Sequence, residues 1–303
     1  MPNSSRVLVT GGAGFIGRRV VTALLTQGHE VSVVDLRAHP DSAVRSVVGD
    51  ITDPAIIERA VRPDTEVIIH LAALTSVVKS VEDPVGTYRL NVDATARLLE
   101  QARENEVHTF LLASTNAAAG NVGAATMNES VPLRPLGPYG ATKAAAEMLL
   151  SAYTNSYGIT GAALRFSNVY GPGMEAKDSF IPRLMRAARD DEGVQVRGDG
   201  SMIRDVVHVD DVVQGLFIAW ESGHTGPLIL GSGQSVTVNE MVETARRVTG
   251  RPIPVEHVPV PTGEMPAVVL DISAIKALGY QPRYDLEAGM ATVWPDFNPG
   301  TQS

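Results

Sequence analysis

Tyr139 and Lys143 stand four residues apart in "YGATK", at the head of a run rich in Ala, Glu and Leu that reads as a helix. Side chains at i and i+4 share one helical face. An ammonium beside a phenol favours the phenolate, drawing its pKa from about 10 toward the range of a working general base. Such a tyrosine takes the proton from an alcohol as hydride leaves the adjoining carbon. The spacing alone also suits an ordinary surface pair, so the motif needs a partner. "TGGAGFIG" at 10–17 supplies one, fitting both G-x-G-x-x-G (Gly12, Gly14, Gly17) and G-x-x-G-x-x-G (Gly11, Gly14, Gly17). In either register the turn needs positive φ, the backbone must approach a pyrophosphate, and the helix must pack tightly on the strand. Asp35 lies eighteen residues beyond Gly17. A carboxylate there binds the adenosine ribose hydroxyls and repels a 2′-phosphate, favouring NAD over NADP, although Arg37 nearby acts in the opposite sense.

These residues need strands and helices to hold them. Runs 6–10, 30–35, 44–48, 66–71 and 109–114 are short, apolar and rich in β-branched residues, and each is expected as a strand. Helices fill the gaps, from the glycine turn to about Gln27, from near Pro54, and over 93–105. Alternating strands and helices predict an α/β fold, a Rossmann-type doubly wound parallel sheet with both faces covered. Ligands then bind at the carboxyl ends of the strands, where strand order reverses. The Gly-Pro-Gly run at 171–173 marks a change, and the Pro-rich remainder is expected to form a smaller C-terminal lobe. The expected division is 1–167 for the cofactor domain and mainly 168–303 for the lobe, with some segments returning to the first.

Composition narrows the function classes. The chain has 303 residues, 44% hydrophobic and 19% charged, with a formal net charge of -9. An acidic surface argues against nucleic acid, which is held by clustered Lys and Arg. The absence of cysteine removes thiolate catalysis, disulfides and Cys-based zinc sites. No metal is expected. No run approaches the roughly 20 apolar residues of a membrane span, and the opening residues are too few and too polar for a signal peptide. A soluble, cytoplasmic protein is expected.

Across nearly its whole length the chain resembles the extended short-chain dehydrogenase/reductase superfamily, in its nucleotide-sugar epimerase and dehydratase branch. The resemblance is carried by "TGGAGFIG", Asp35, "GDITD" at 49–53, "HLAA" at 70–73, "NVDAT" at 91–95 and "ASTNAAAG" at 113–120. It continues through "PYGATK" at 138–143, "LRFSNVYGPG" at 164–173, "GDGSMIRDVVHVDD" at 198–211 and "ALGYQP" at 277–282. It implies NAD as cofactor, held by Gly11, Gly14, Phe15, Ile16, Gly17, Asp35, Leu36 and Arg37 at the adenosine and diphosphate. Asp50 and Ile51 would contact the adenine, and Leu71, Ala72, Ala73 and Thr75 the diphosphate and ribose. Asn91 would sit near the nicotinamide end, Lys143 would also hydrogen-bond the nicotinamide ribose, and Ala113, Phe166 and Tyr139 would contact the cofactor as well. Thr115 corresponds to the catalytic Ser/Thr, its hydroxyl bridging sugar and tyrosine, while the adjacent Ser114 is an alternative hydroxyl. Substrate contacts would come from Ser76, Thr115, Asn116, Asn168, Ser179, Arg197 and Arg204. Arg204 would grip the nucleotide diphosphate, or else pair with Asp205 or Asp211. A homodimer through the Tyr-x-x-x-Lys helix and the one before it is implied. Ala144, Ala145, Ala146, Met148 and Leu149 fit that interface and equally fit internal packing.

Departures from the family pattern bear on the reaction. Members that dehydrate or decarboxylate place acids after the catalytic Thr, because elimination needs a further proton donor and base. Here Asn116 and Ala117 follow. The expected reaction is therefore 4-epimerisation of a UDP-hexose or UDP-hexuronate, by hydride removal at C4 and return to the other face. A net reductase, dehydrogenase or dehydratase of the same branch is the alternative, and an NAD-binding redox sensor is the non-enzyme one. Ala119 replaces a family tyrosine. Arg197 stands where an aromatic residue usually stacks on the base. Pro261-Thr262-Gly263-Glu264 lacks a second diphosphate arginine. Lys177, Arg183, Arg186 and Arg189 read as a solvated helical face, with a uronate carboxylate as an alternative partner for any one of them. His70 and His208 read as packed or backbone-bonded, and Asp210 and Asp211 as caps of the following helix.

Overall fold

A computed structural model describes residues 4–123, 125–260 and 267–298. The chain forms two compact units. The first takes residues 1–121, 129–166 and 213–228, and the second 122–128, 167–212 and 229–303.

Numbered along the chain, the strands of the first sheet are β1 (Arg6–Thr10), β2 (Glu30–Asp35), β3 (Arg45–Val48), β4 (Val67–His70), β5 (Thr109–Thr115), β6 (Thr160–Phe166) and β10 (Gly226–Leu230). Their order is β10-β6-β5-β4-β1-β2-β3, and every pairing from β6 to β3 is parallel. Order reverses between β1 and β4, which places the switch point beside the glycine loop and the end of β5. β4 and β5 are buried at every position, as strands covered on both faces must be. Leu8, Ile68, Phe110 and Leu112 of the sheet pack with Leu98, Leu99 and Leu150 of α5 (Ala94–Glu104) and α6 (Pro138–Tyr157). Each such burial stabilises by about 1.5–3 kcal/mol.

The expected strands are present, with shifted limits. β3 starts at Arg45 and β4 is confined to Val67–His70, whereas β5 extends to Thr115 because Thr115 pairs with Phe166. Helix α1 (Phe15–Thr26) follows the glycine loop. Helix α2 (Pro54–Ala60) begins on Asp53, whose carboxylate accepts from the Ala55 N–H. The α3 (Val77–Glu82) and α4 (Pro84–Tyr88) helices lead into a π-helical turn at Arg89–Asp93 ahead of α5.

In the second unit β7 (Asn168–Tyr170), β9 (Ile203–His208) and β11 (Ser235–Thr237) form a sheet of order β11-β9-β7, and β8 (Val194–Arg197) pairs with β12 (Val255–Val258). Its helices include α7 (Phe180–Asp190), α9 (Val238–Thr249) and α11 (Leu286–Phe297). Tyr280, fully buried, donates to the Gly231 carbonyl at 3.0 Å. One expectation is corrected here. Asp210 and Asp211 lie within the first turn of α8 (Val209–Glu221) rather than capping it. The buried Asp211 carboxylate accepts the N–H groups of Arg283 (3.0 Å) and Tyr284 (3.3 Å), tying that segment down. Among the described residues no helix is long and apolar enough to cross a membrane, and no group of three or more His, Cys, Asp or Glu could hold a metal ion.

Candidate active site

The first turn of α6 meets the short 3-10 turn Asn116–Ala118 that follows β5. Gly140 permits that approach, since a Cβ there would stand 2.5 Å from the Ala117 carbonyl oxygen. The Tyr139 N–H donates to Ser80 Oγ at 3.2 Å, and Ser80 in turn donates to the Val77 carbonyl at 2.7 Å. Tyr139 thereby arrives beside Thr115, whose hydroxyl hydrogen-bonds the phenol. Thr115 also caps the 3-10 turn, accepting from the Ala117 N–H at 3.2 Å, and reaches Asn116 Oδ1 at 3.3 Å. One helical turn on, Lys143 is 3% exposed and its Nζ donates to the Ala113 carbonyl at 2.9 Å. Thr115, Tyr139, Lys143, Ala113 and Asn116 are thus gathered at the carboxyl end of β5.

Two expectations change at this point. Burial pushes the Tyr139 phenol up from its ordinary value, and the Thr115 hydrogen bond offsets this only in part. In the protein alone the phenol is therefore harder to ionise, not easier as the Tyr-x-x-x-Lys spacing suggests, because desolvation of the phenolate outweighs its stabilisation. Lys143 is drawn down to about 8 by burial, against the opposing pull of the Glu147 carboxylate. Nor does Ser114 substitute for Thr115. Successive strand residues face opposite ways, and Ser114 Oγ donates inward to Glu147 Oε1.

A second polar assembly lies beneath the loop after β4. The Ala72 N–H donates to Thr10 Oγ1 at 3.1 Å, and Thr10 Oγ1 lies 2.6 Å from His70 Nδ1. Thr95 Oγ1 donates to the Asn91 carbonyl at 2.8 Å and so accepts from His70 Nε2 at 2.9 Å. The Thr95 contact puts a proton on His70 Nε2, and with the imidazole neutral Nδ1 accepts from Thr10. Burial first, and the Lys143 charge second, lower its pKa to about 3. Asn91, 1% exposed in the π turn, accepts from the Leu74 N–H (2.9 Å) and donates to the Leu74 carbonyl (3.0 Å) and Thr142 Oγ1 (3.1 Å). Its amide holds the 71–75 loop against α6. Leu71, Ala72, Ala73 and Ser76 are half-buried there, and Thr75 is exposed.

At the β1–α1 junction the sequence leaves room for backbone alone. Gly11 has φ +71°, and a Cβ on it would lie 2.9 Å from Ala72 N. On Gly17 a Cβ would lie 2.1 Å from the Gly11 oxygen. The cap of α1, Gly14, makes no side-chain cap bond. Asp35 accepts from the Ala13 N–H at 3.0 Å and the Arg37 N–H at 3.4 Å, fixing the loop beside it. Phe15 and Ile16 are half-buried, Leu36, Arg37 and Asp50 exposed, and Ile51 and Phe166 buried. A side-chain-free helix entrance with a carboxylate at the next strand end is what a dinucleotide requires, so the residues present fit NAD.

In the second unit, Asn168 and Arg204 fall on neighbouring strands, Asn168 pairing with Val206. Asn168 is exposed and donates to the Asp205 carbonyl at 3.1 Å. The half-buried Arg204 donates to the Ile203 carbonyl at 2.8 Å. Neither carboxylate considered for Arg204 stands idle: Asp205 accepts from Ser232 (N–H 3.0 Å, Oγ 3.1 Å) and the Gly233 N–H (2.8 Å), and Asp211 holds 283–284. Ser179 stands at the N-cap of α7 and Arg197 ends β8, and both are exposed. Arg183 pairs with Asp178, Arg189 with Asp190, and Arg186 donates to the Glu175 and Lys177 carbonyls. His208 is stacked on Tyr284 at 3.8 Å, with Nε2 on Thr292 (3.0 Å) and Nδ1 accepting from the Asp210 N–H (3.2 Å). The 261–264 segment lies outside the described residues.

Gly140, Ser80, Thr10, Thr142, Glu147 and Arg165 support this site without having been singled out in the sequence. Glu147, one turn beyond Lys143, and Arg165, inside an apolar strand run, did carry a signal: charge at positions whose periodicity is buried.

Comparisons with known proteins show the family and the fold. The sequence model of the NAD dependent epimerase/dehydratase family matches residues 7–230. A UDP-glucose 4-epimerase of Halalkalibacterium halodurans is 33% identical, over 95% of this chain and 94% of its own length. A dTDP-glucose 4,6-dehydratase of an Actinoplanes species is 34% identical, over 94% of this chain and 95% of its own. The crystal structure of the Thermus thermophilus UDP-glucose 4-epimerase in complex with NAD superposes with a TM-score of 0.90 at 33% identity, covering 97% of this chain and 99% of that one.

Proposed function

The chain belongs to the NAD dependent epimerase/dehydratase family, and from that premise we propose that it is a nucleotide-sugar 4-epimerase acting on a UDP-hexose or UDP-hexuronate. Bound NAD supplies the hydride acceptor, and then the donor, for C4. Tyr139 takes the proton of the C4 hydroxyl as hydride departs and returns it when the hydride comes back to the opposite face. Thr115 orients the sugar oxygen toward the phenol, and Lys143 supplies the positive charge that favours phenolate. Arg204 and Asn168 hold the nucleotide diphosphate, where a guanidinium suits paired phosphate oxygens.

The observation that carries this reading is the pair that follows Thr115. Asn116 and Ala117 sit half-buried on the 3-10 turn, and neither side chain can exchange a proton. Elimination across C5–C6 needs such a group, whereas oxidation and re-reduction at one carbon needs only Tyr139. Incubation with a panel of UDP- and dTDP-sugars, with products resolved by NMR, tests the proposal. A C4-inverted sugar without accumulation of NADH is the expected result, and a 4-keto-6-deoxy product from a dTDP-sugar would replace it with dehydration.

The reading includes a homodimer. Ala144 and Ala146 are buried within the protomer, but Met148 on α6 and Val77, Val78, Val81, Val85 and Tyr88 on α3 and α4 are exposed. Such an apolar surface supports a second copy as its cover. Light scattering should return twice the monomer mass.

A further inference from the structure

Glu147, Arg165 and Ser114 form a buried ionic cluster that the reaction as described does not use. The Glu147 and Arg165 side chains are 6% and 4% exposed. The guanidinium grips both carboxylate oxygens, Nε at 3.1 Å from each and Nη2 at 2.8 Å from Oε2. Nη1 reaches the Glu129 carbonyl at 3.3 Å, and Ser114 Oγ donates to Oε1. A buried ion pair is a poor source of stability, because desolvating both charges cancels most of their attraction. Its position is the informative feature. Glu147 stands one turn after Lys143 on the same face of α6, and Ser114 stands between Ala113, which Lys143 holds, and Thr115, which meets Tyr139. The cluster therefore touches the catalytic helix and the catalytic strand end together.

We propose that Glu147 is a positioning residue for the reaction: clamped by Arg165, it anchors β5 through Ser114 so that Thr115 meets Tyr139, and its charge keeps Lys143 protonated in an apolar interior. This rests on the reading of Lys143 as the cation that favours the Tyr139 phenolate. The groups that bear on the Lys143 charge are Glu147 from α6 and His70 from β4. His70 is neutral, so Glu147 is the anion of this set. Burial and the Glu147 charge are the opposing influences on Lys143. Removing the carboxylate makes the lysine easier to deprotonate.

The test is the pH dependence of kcat in the NAD-loaded enzyme with its sugar substrate, for wild type, E147Q, S114A and K143M. E147Q should move the alkaline limb, where Lys143 loses its proton, to lower pH by about one unit, with kcat at neutral pH reduced about tenfold and KM within twofold. S114A keeps every charge. It should lower kcat about three- to tenfold by loosening the strand end and leave the limb in place. An unmoved limb in folded, NAD-binding E147Q, or unchanged kcat in S114A, overturns the proposal. Should E147Q fail to fold, S114A decides, since its kcat must fall with the limb in place and an unchanged kcat contradicts the account. Full activity in K143M removes the premise itself, whereas an inactive K143M with an unmoved E147Q limb overturns this inference alone.

Discussion

The β1–α1 and β5–α6 junctions lie at the same edge of one parallel sheet, yet they are built from opposite materials. At β1–α1 nearly everything depends on side chains that are missing. A Cβ on Gly17 would sit 2.1 Å from the Gly11 oxygen, and one on Gly11 2.9 Å from Ala72 N. At β5–α6 everything depends on side chains that are present and buried: Thr115, Tyr139, Lys143, and behind them Ser114, Glu147 and Arg165. Backbone amides serve binding of a phosphate, whose charge does not change during turnover. A proton transfer needs groups whose charge does change, and these must be desolvated and held. The first junction should therefore fail by geometry and the second by charge.

Substitutions can break that contrast. The largest effect is expected for Tyr139→Phe, which should lower kcat by about 10²–10⁴-fold, with NAD affinity by calorimetry falling far less. Gly17→Ala should do the converse. Relieving its clash moves α1 from β1, costing about 1–3 kcal/mol of stability and at least about tenfold in NAD affinity. Gly14→Ala, whose Cβ would stand 3.1 Å from the Gly11 oxygen, should be milder in both, and equal damage would mean that the loop fails for another reason. A pH titration sharpens the other side. Lys143 sits at about 8 and acts as the ammonium, so kcat should fall as pH rises through that value. The smallest change is expected for Asp35→Asn, which loses a charge-assisted contact worth about 1–2 kcal/mol and should narrow the preference for NAD over NADP.

The same contrast explains what was legible in the sequence. Glycine spacing, the valine run ending in Asp35 and the i, i+4 pair are local patterns. Strands β1 and β2 fall on 6–10 and 30–35 because their boundaries are set by turn residues beside them. What stayed hidden depends on partners distant in the chain. Ser114 and Thr115 carry the same chemistry side by side, and only Glu147, 33 residues away, decides which hydroxyl faces inward. The direction of the Tyr139 shift depends on how deeply the phenol is buried, which no spacing encodes. The π turn that presents Asn91 to Leu74 and Thr142 has no compositional signature in "RLNVD", and Asp211 could be assigned to Arg283 and Tyr284 only once the chain had returned.

The central claim is that hydride leaves C4 and returns to C4. Turnover of a UDP-hexose carrying deuterium at C4, followed by NMR of the sugar product, tests it most directly. The account predicts a C4-inverted product with deuterium retained at C4 and no build-up of reduced cofactor. Deuterium found at C6 of a deoxy sugar, or transferred to NADH released into solution, would contradict it.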